Sequence, residues 1–176
     1  GYALFMGTLE PRKNVDGLLE AYGRLLTRRP NVPKLVLVGR AGPEAQPWLD
    51  AIARPPLVGH VEHLGYVSEH DRQRVYADAR LLVLPSYEEG FGMPVLEAMS
   101  LGIPVIATSR GALPELVGDA GVLIVPEDAE SIVAALDRVL SDDSFAETIG
   151  RRGLERSRRF PWASAPFAGR EPTSRS

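Results

Sequence analysis

Leu81-Leu82-Val83-Leu84 is followed directly by Pro85-Ser86-Tyr87-Glu88-Glu89-Gly90-Phe91-Gly92-Met93-Pro94-Val95-Leu96-Glu97-Ala98. The apolar run predicts a buried strand, and Val95 to Leu101 predicts the start of a helix. A strand, a glycine-bearing loop and a helix N-terminus together make an anion site. The first N–H groups of a helix have no partner within it, and its dipole favours negative charge there. Gly90 and Gly92 permit unusual backbone angles and close approach of a ligand. Glu89 and Glu97 bracket the loop with seven residues between them. One short element thus offers donors for a diphosphate and acceptors for hydroxyls, the two features of a nucleotide sugar. The competing reading is an exposed acidic loop with one solvated helix carboxylate. The apolar neighbours of Glu97, namely Val95, Leu96, Ala98 and Met99, argue against it.

Outward from this stretch, apolar runs and helical patterns alternate. Tyr2–Met6, Leu35–Val38, Val61–Leu64, Leu81–Leu84, Pro104–Ala107 and Gly121–Val125 read as strands. Val15, Leu18, Leu19, Tyr22, Leu25 and Leu26 recur at helical spacing, so residues 15–29 predict an amphipathic helix capped by Asn14. Pro30 and Pro33 end it. Helices are also expected around 44–53, after a capping box at Ser68-Glu69-His70-Asp71 and running through Val75, Tyr76 and Ala79, at 112–117, over Ile132 to Leu140, and at 144–158. Strands that are continuous apolar runs, separated by helices, indicate a parallel sheet covered on both faces. The fold class is α/β: a doubly wound, Rossmann-like sheet of about six strands. Residues 1–160 form the expected domain. Residues 161–176, rich in Pro, Ser, Arg and Ala, predict an irregular or disordered tail.

With 176 residues, a single domain with a sizeable core is the default. A net charge of −3 gives no whole-chain reason to expect a nucleic acid partner. The absence of cysteine excludes disulfides, Cys-ligated metals and thiol chemistry, and fits a cytoplasmic setting. No apolar run is long enough to span a bilayer, and no signal peptide is evident. A strand-like run at residue 2 reads as a piece cut from a longer protein.

Lys13 and Lys34 are the only lysines. In Gly7-Thr8-Leu9-Glu10-Pro11-Arg12-Lys13-Asn14, Arg12 and Lys13 stand between the first strand and the first helix. Cations there oppose the helix dipole, and a bound diphosphate neutralised by Lys13 and Arg12 resolves the conflict. The alternative is a solvated basic turn. Tyr66, Val67 and Glu69 follow the third strand, where a base could rest. Glu69 could accept from the N1–H and N2–H₂ of guanine, or simply favour a helix N-terminus. His60, His63 and His70 lie in a loop–strand–loop region, and His60 and His63 lack the carboxylate or Cys arrangement of a metal site. Arg151, Arg152, Arg156, Arg158 and Arg159 read as a solvated basic face, with an anionic membrane surface as the lesser alternative.

The run Glu89-Gly90-Phe91-Gly92-Met93-Pro94-Val95-Leu96-Glu97-Ala98 resembles, almost letter for letter, the E-x7-E signature of retaining glycosyltransferases of the GT-B fold, in the large family 4 of nucleotide-sugar-dependent enzymes. Gly7 to Asn14, Leu64-Gly65-Tyr66-Val67, Leu84-Pro85-Ser86, Gly102 to Ala107 and Gly111 to Val117 also resemble it, so the likeness covers residues 2–160. It implies that this chain is the donor-binding half of such an enzyme, similar to mannosyltransferase-type members, with GDP-mannose as the donor. It implies catalytic roles for Glu89, at the transferred sugar, and for Lys13, at the leaving diphosphate. Donor contacts would come from Gly7, Arg12, Lys13, Tyr66, Val67, Glu69, Glu89, Gly90, Phe91, Gly92, Met93, Pro94 and Glu97, the last accepting from ribose hydroxyls. The resemblance implies no metal and no cofactor beyond the nucleotide sugar. It also implies an N-terminal acceptor-binding domain absent from this chain, without which transfer fails; the expected setting is cytoplasmic, with peripheral contact at the inner membrane face through the basic cluster as the lesser alternative. Two departures stand out. Thr8 replaces an arginine common in the family, a charge that Arg12 would have to supply. Pro161, Pro166 and Pro172 oppose the C-terminal helix that usually follows Phe160-Pro161-Trp162. The alternatives are a non-catalytic nucleotide-sugar-binding module and a GT-B-fold epimerase or phosphorylase.

Overall fold

The computed structural model describes residues 1–160; the expected irregular tail at 161–176 lies outside them. Six strands form one sheet in which every pairing is parallel: β1 (Tyr2–Met6), β2 (Leu35–Val38), β3 (Val61–Gly65), β4 (Ala79–Leu84), β5 (Val105–Thr108) and β6 (Val122–Ile124). Their order is β3-β2-β1-β4-β5-β6. The direction of winding therefore reverses between β1 and β4, and the crevice outside their carboxyl ends is where such sheets take ligands.

The helices are α1 (Val15–Arg28), α2 (Gln46–Ile52), α3 (Glu69–Ala77), α4 (Met93–Ser100), α5 (Leu113–Val117), α6 (Ala129–Ser141) and α7 (Asp143–Ser157). Side chains alternate along each strand, so the inner strands β1, β2, β4 and β5 feed two cores, while the edge strands β3 and β6 feed one. Ala3, Phe5, Leu35, Leu37, Leu81 and Val83 meet α1, α2 and α6 on one face. Leu4, Met6, Val36, Val38, Leu82 and Leu84 meet Tyr76, α4 and α5 on the other. Burial on both faces is why these inner strands read as unbroken apolar runs; the edge strand β3, Val-Glu-His-Leu-Gly, does not, and its Glu62 and Leu64 are exposed. Helix α7 packs against both α6 and α4. Its Gly153 sits over Met99, where an added Cβ would approach Met99 Cγ to 3.5 Å.

Three local expectations shift. Ala79 is not part of the third helix; α3 ends at Ala77, and Ala79 opens β4 by pairing with Tyr2. The motif helix begins at Met93 rather than Val95, because Gly92 takes the left-handed conformation that turns the chain into it (φ 67°). Between β1 and α1 lies a single 3₁₀ turn, Pro11–Lys13, so Lys13 closes one helical turn before Asn14 opens the next.

The carboxyl ends of β1 and β2 approach so closely that Gly39 has no room for a side chain. Its φ is +142°, and an added Cβ would overlap the Gly7 carbonyl oxygen. The atoms it would meet, Gly7 O and C, belong to backbone, so they do not move aside cheaply. Gly39→Ala is expected to cost about 3 kcal/mol from strain and overpacking. That lowers the melting temperature by roughly 6–12 °C at 2–4 °C per kcal/mol. A calorimetric scan showing less than about 2 °C of change would refute this close approach.

Candidate functional site

At the crevice the first and fourth strands deliver opposite charges to each other. The 3₁₀ turn after β1 presents Lys13, and the loop after β4 presents Glu89. Lys13 Nζ donates to Glu89 Oε2 at 3.0 Å and to Oε1 at 3.2 Å, and both side chains are more than nine-tenths buried. Ser86 Oγ donates to Glu89 Oε2 at 2.8 Å. A buried ion pair persists only with such extra hydrogen bonds, because each charge loses its water. The ammonium has three donors, so holding Glu89 does not use up its capacity for another anion.

Asn14 locks this pair in place. It takes the left-handed conformation (φ 60°) and caps α1, its Oδ1 accepting from Gly17 N at 3.2 Å. Residue 17 must be small: a Cβ there would lie 2.5 Å from that oxygen. Asn14 Nδ2 donates to the carbonyls of Pro85 (3.0 Å) and Pro126 (2.8 Å), tying together the loops after β1, β4 and β6. Tyr87 N donates to Arg12 O at 2.9 Å, a second tie between the Lys13 turn and the Glu89 loop. From the other side, the loop after β5 closes on the backbone at Glu89. Gly111 has φ 64°, and a Cβ on it would sit 2.6 Å from Glu89 O.

Glu97 lies in the middle of α4, just past its first turn, and is 5% exposed. Its partners come from α3. Arg72 donates from Nε to Oε1 (3.1 Å) and Oε2 (3.2 Å), and from Nη2 to Oε1. Tyr76 OH donates to Oε1 at 2.8 Å. Burial, reinforced by the Glu97 charge, pushes the Tyr76 phenol well above its ordinary range. Burial alone would lower Arg72, but its hydrogen bonds and charge contact with Glu97 outweigh this and raise it. Both groups thus stay as donors at neutral pH.

Among the other expected residues, Gly7 lines the Lys13 side chain, 3.5 Å from its Cε measured from where a Cβ would stand. Gly90, Phe91, Gly92, Met93 and Pro94 form the turn into α4; Phe91 is 77% exposed. Arg12 is half-exposed and pairs with Glu10 at 2.6 Å, outside the buried Lys13–Glu89 pair. Tyr66 projects from the end of β3 with the Arg40 guanidinium 4.7 Å over its ring. Val67 packs on the second core, and Glu69 begins α3 next to its cap Ser68. His63 Nε2 lies 2.7 Å from Gly39 O, in hydrogen-bond contact with the β2 loop. Among the described residues no three His, Asp or Glu side chains are grouped to hold a metal ion. Arg156 is no part of a free basic face; it donates to the carbonyls of Leu116 (2.7 Å) and Glu115 (2.6 Å), holding the end of α5. Arg151, Arg152, Arg158 and Arg159 are exposed.

The sequence reading missed Ser86, Arg72 and Tyr76. Ser86 stands three residues before Glu89, a spacing that could have drawn attention to it. Arg72 and Tyr76 are four apart on α3, hence on one face, but nothing local links that face to Glu97.

A doubly wound parallel sheet with a polar cluster at its switch point is a ligand-binding α/β domain of the Rossmann type. This chain belongs to the glycosyl transferases group 1 family, whose model matches residues 1–156. It is 45% identical over 163 residues to an O-antigen chain mannosyltransferase B of Escherichia coli; the match takes in 92% of this chain but 42% of that protein. The crystal structure of the C-terminal domain of a group 1 family glycosyl transferase from Francisella tularensis superposes with a TM-score of 0.80 at 26% identity, covering 90% of this chain and 85% of that one. An Anabaena protein solved in complex with UDP and glucose superposes with a TM-score of 0.80 at 26% identity, covering 99% of this chain and 48% of that one. The chain thus spans less than half of the E. coli relative and of the Anabaena protein. No described helix is long and apolar enough to cross a membrane.

Proposed function

We propose that this chain is the donor-binding half of a retaining glycosyltransferase that moves a mannosyl group from GDP-mannose to a glycan or lipid-linked acceptor. The observation that carries the reading is the Lys13–Glu89 pair at the β1/β4 switch point, with the α4 N-terminus beside it. Lys13 is the cation for the diphosphate, whose charge grows as the glycosidic bond breaks. Glu89, fixed by Lys13 and Ser86, accepts from hydroxyls of the transferred sugar. The backbone of Gly90, Phe91, Gly92 and Met93 faces sugar and phosphate at the helix start, where anions are favoured. Glu97 accepts from the ribose, and Tyr66, Val67 and Glu69 frame the base. With Lys13 and a helix N-terminus neutralising the diphosphate, no metal is needed. The acceptor side, and transfer itself, belong to an N-terminal domain outside this chain, consistent with its 42% span of the E. coli relative. The mannosyl choice draws on that relative and on Gly7 to Asn14.

Titration of the chain with GDP, UDP and ADP by isothermal calorimetry tests this. GDP is expected to bind tightest, and equally well with a chelator present. Binding only with a divalent cation would remove the metal-independent part. A preference for UDP would move the donor to a UDP-sugar. No binding by any diphosphate would remove the donor site.

A further inference from the structure

Glu97 is the buried carboxylate whose oxygens are least equal. Among the described residues, Oε1 receives Arg72 Nε, Arg72 Nη2 and Tyr76 OH, whereas Oε2 receives only Arg72 Nε, at 3.2 Å. A carboxylate offers about four acceptor sites, two on each oxygen. Oε1 is therefore saturated and Oε2 keeps capacity for one more donor. The clamp also docks α3, beside Tyr2 OH, which donates to Val75 O at 2.6 Å. That helix presents Glu69, His70, Asp71, Gln73 and Arg74 to solvent, and buries Tyr76 fully and Val75 in part.

We propose that Arg72 is a positioning residue that sets ribose selectivity: by filling Oε1 it fixes the Glu97 carboxylate and leaves Oε2 to read one ribose hydroxyl of the donor. The inference rests on the donor-site reading given above. Arg72 itself touches no sugar in this scheme. Its fork of parallel N–H groups suits a carboxylate, and lysine, with a single ammonium, would leave the carboxylate free to turn. A free carboxylate could still attract hydroxyls, but without a preferred orientation it would lose discrimination.

The test compares GDP with 2′-deoxy-GDP and 3′-deoxy-GDP by calorimetry on the native chain, Arg72→Leu and Arg72→Lys. If the titration above shows tighter binding of UDP, the uridine series is used. The native chain is expected to bind one deoxy form about tenfold more weakly, as for loss of a hydrogen bond to a charged group. In Arg72→Leu that ratio should fall below about threefold, with Arg72→Lys in between. A residue that merely held the fold would weaken all three ligands alike and leave the ratio unchanged; that outcome overturns the proposal. So does a native chain that binds GDP and both deoxy forms equally, which leaves the donor site standing. If no diphosphate binds the native chain, the donor reading falls and the inference with it. Should Arg72→Leu fail to fold, Arg72→Lys decides: a ratio clearly below the native one supports the proposal, and an unchanged ratio overturns it. Failure of both to fold makes Arg72 a folding residue and overturns it.

Discussion

Replacing Lys13 by alanine is expected to weaken GDP binding by about 100-fold, the loss of roughly 3 kcal/mol typical of a charged donor in a water-poor site. The substitution also leaves Glu89 buried beside Ser86 with no cation, which should itself cost about 3 kcal/mol of stability. The two effects are separable. Glu89→Gln removes the charge pair from the other end and keeps an acceptor for Ser86 and Lys13. If Lys13 holds the diphosphate, Glu89→Gln should bind GDP within about threefold of the native chain, because GDP carries no transferred sugar. Equal losses of GDP affinity in the two variants would mean that the pair only shapes the loop. Thermal scans beside the titrations ensure that folded protein is being compared.

The largest stability effect is expected at Asn14. Asn14→Ala removes the donor to two buried carbonyls, at Pro85 and Pro126, and the cap of α1 in one step. An orphaned buried carbonyl costs about 1–3 kcal/mol and a lost cap about 1. Alanine must also adopt φ near 60°, which asparagine tolerates better. A loss of about 4 kcal/mol follows, or roughly 8–16 °C in melting temperature. Asn14→Gly removes the same hydrogen bonds but not the permitted backbone angle, so it should recover about 1 kcal/mol relative to alanine. If both variants melt within about 2 °C of the native chain, Asn14 does not tie the three loops together. Such a loss should also loosen Lys13, its neighbour in sequence, so that GDP affinity falls even in the folded fraction.

The inner strands β1, β2, β4 and β5 were legible because they are buried on both faces. A run such as Leu81–Leu84 needs no knowledge of its neighbours to be read as interior. Glu89 to Ala98 was legible because its meaning is local: two glycines, a helix start and two carboxylates. The Asn14 cap was legible for the same reason, since Gly17 N lies three residues away. Its bonds to Pro85 and Pro126 reach across 71 and 112 residues, and no local pattern carries them. Arg72 was invisible in another way. It sits in a helix so polar that every residue before Val75 reads as solvated, and only the tertiary approach of α4 gives it a buried partner. The solvated basic turn weighed for Lys13 failed because Pro11–Lys13 is a turn of helix that points the lysine inward, a backbone choice that residue spacing does not reveal. Ala79 was read as helix because it continues an apolar spacing that Asp78 interrupts and the pairing with Tyr2 overrides.

The first strand, Tyr2–Met6, is an interior strand, flanked by β2 on one side and by β4 on the other. A nascent chain emerging from the ribosome can pair it with β2 once Leu35–Val38 is clear, but its other edge stays open until Ala79–Leu84 is made. During that interval an apolar strand with unpaired N–H and C=O groups is a template for pairing with another chain. Premature termination anywhere between β2 and β4 should therefore yield a sticky, insoluble fragment rather than a smaller folded one.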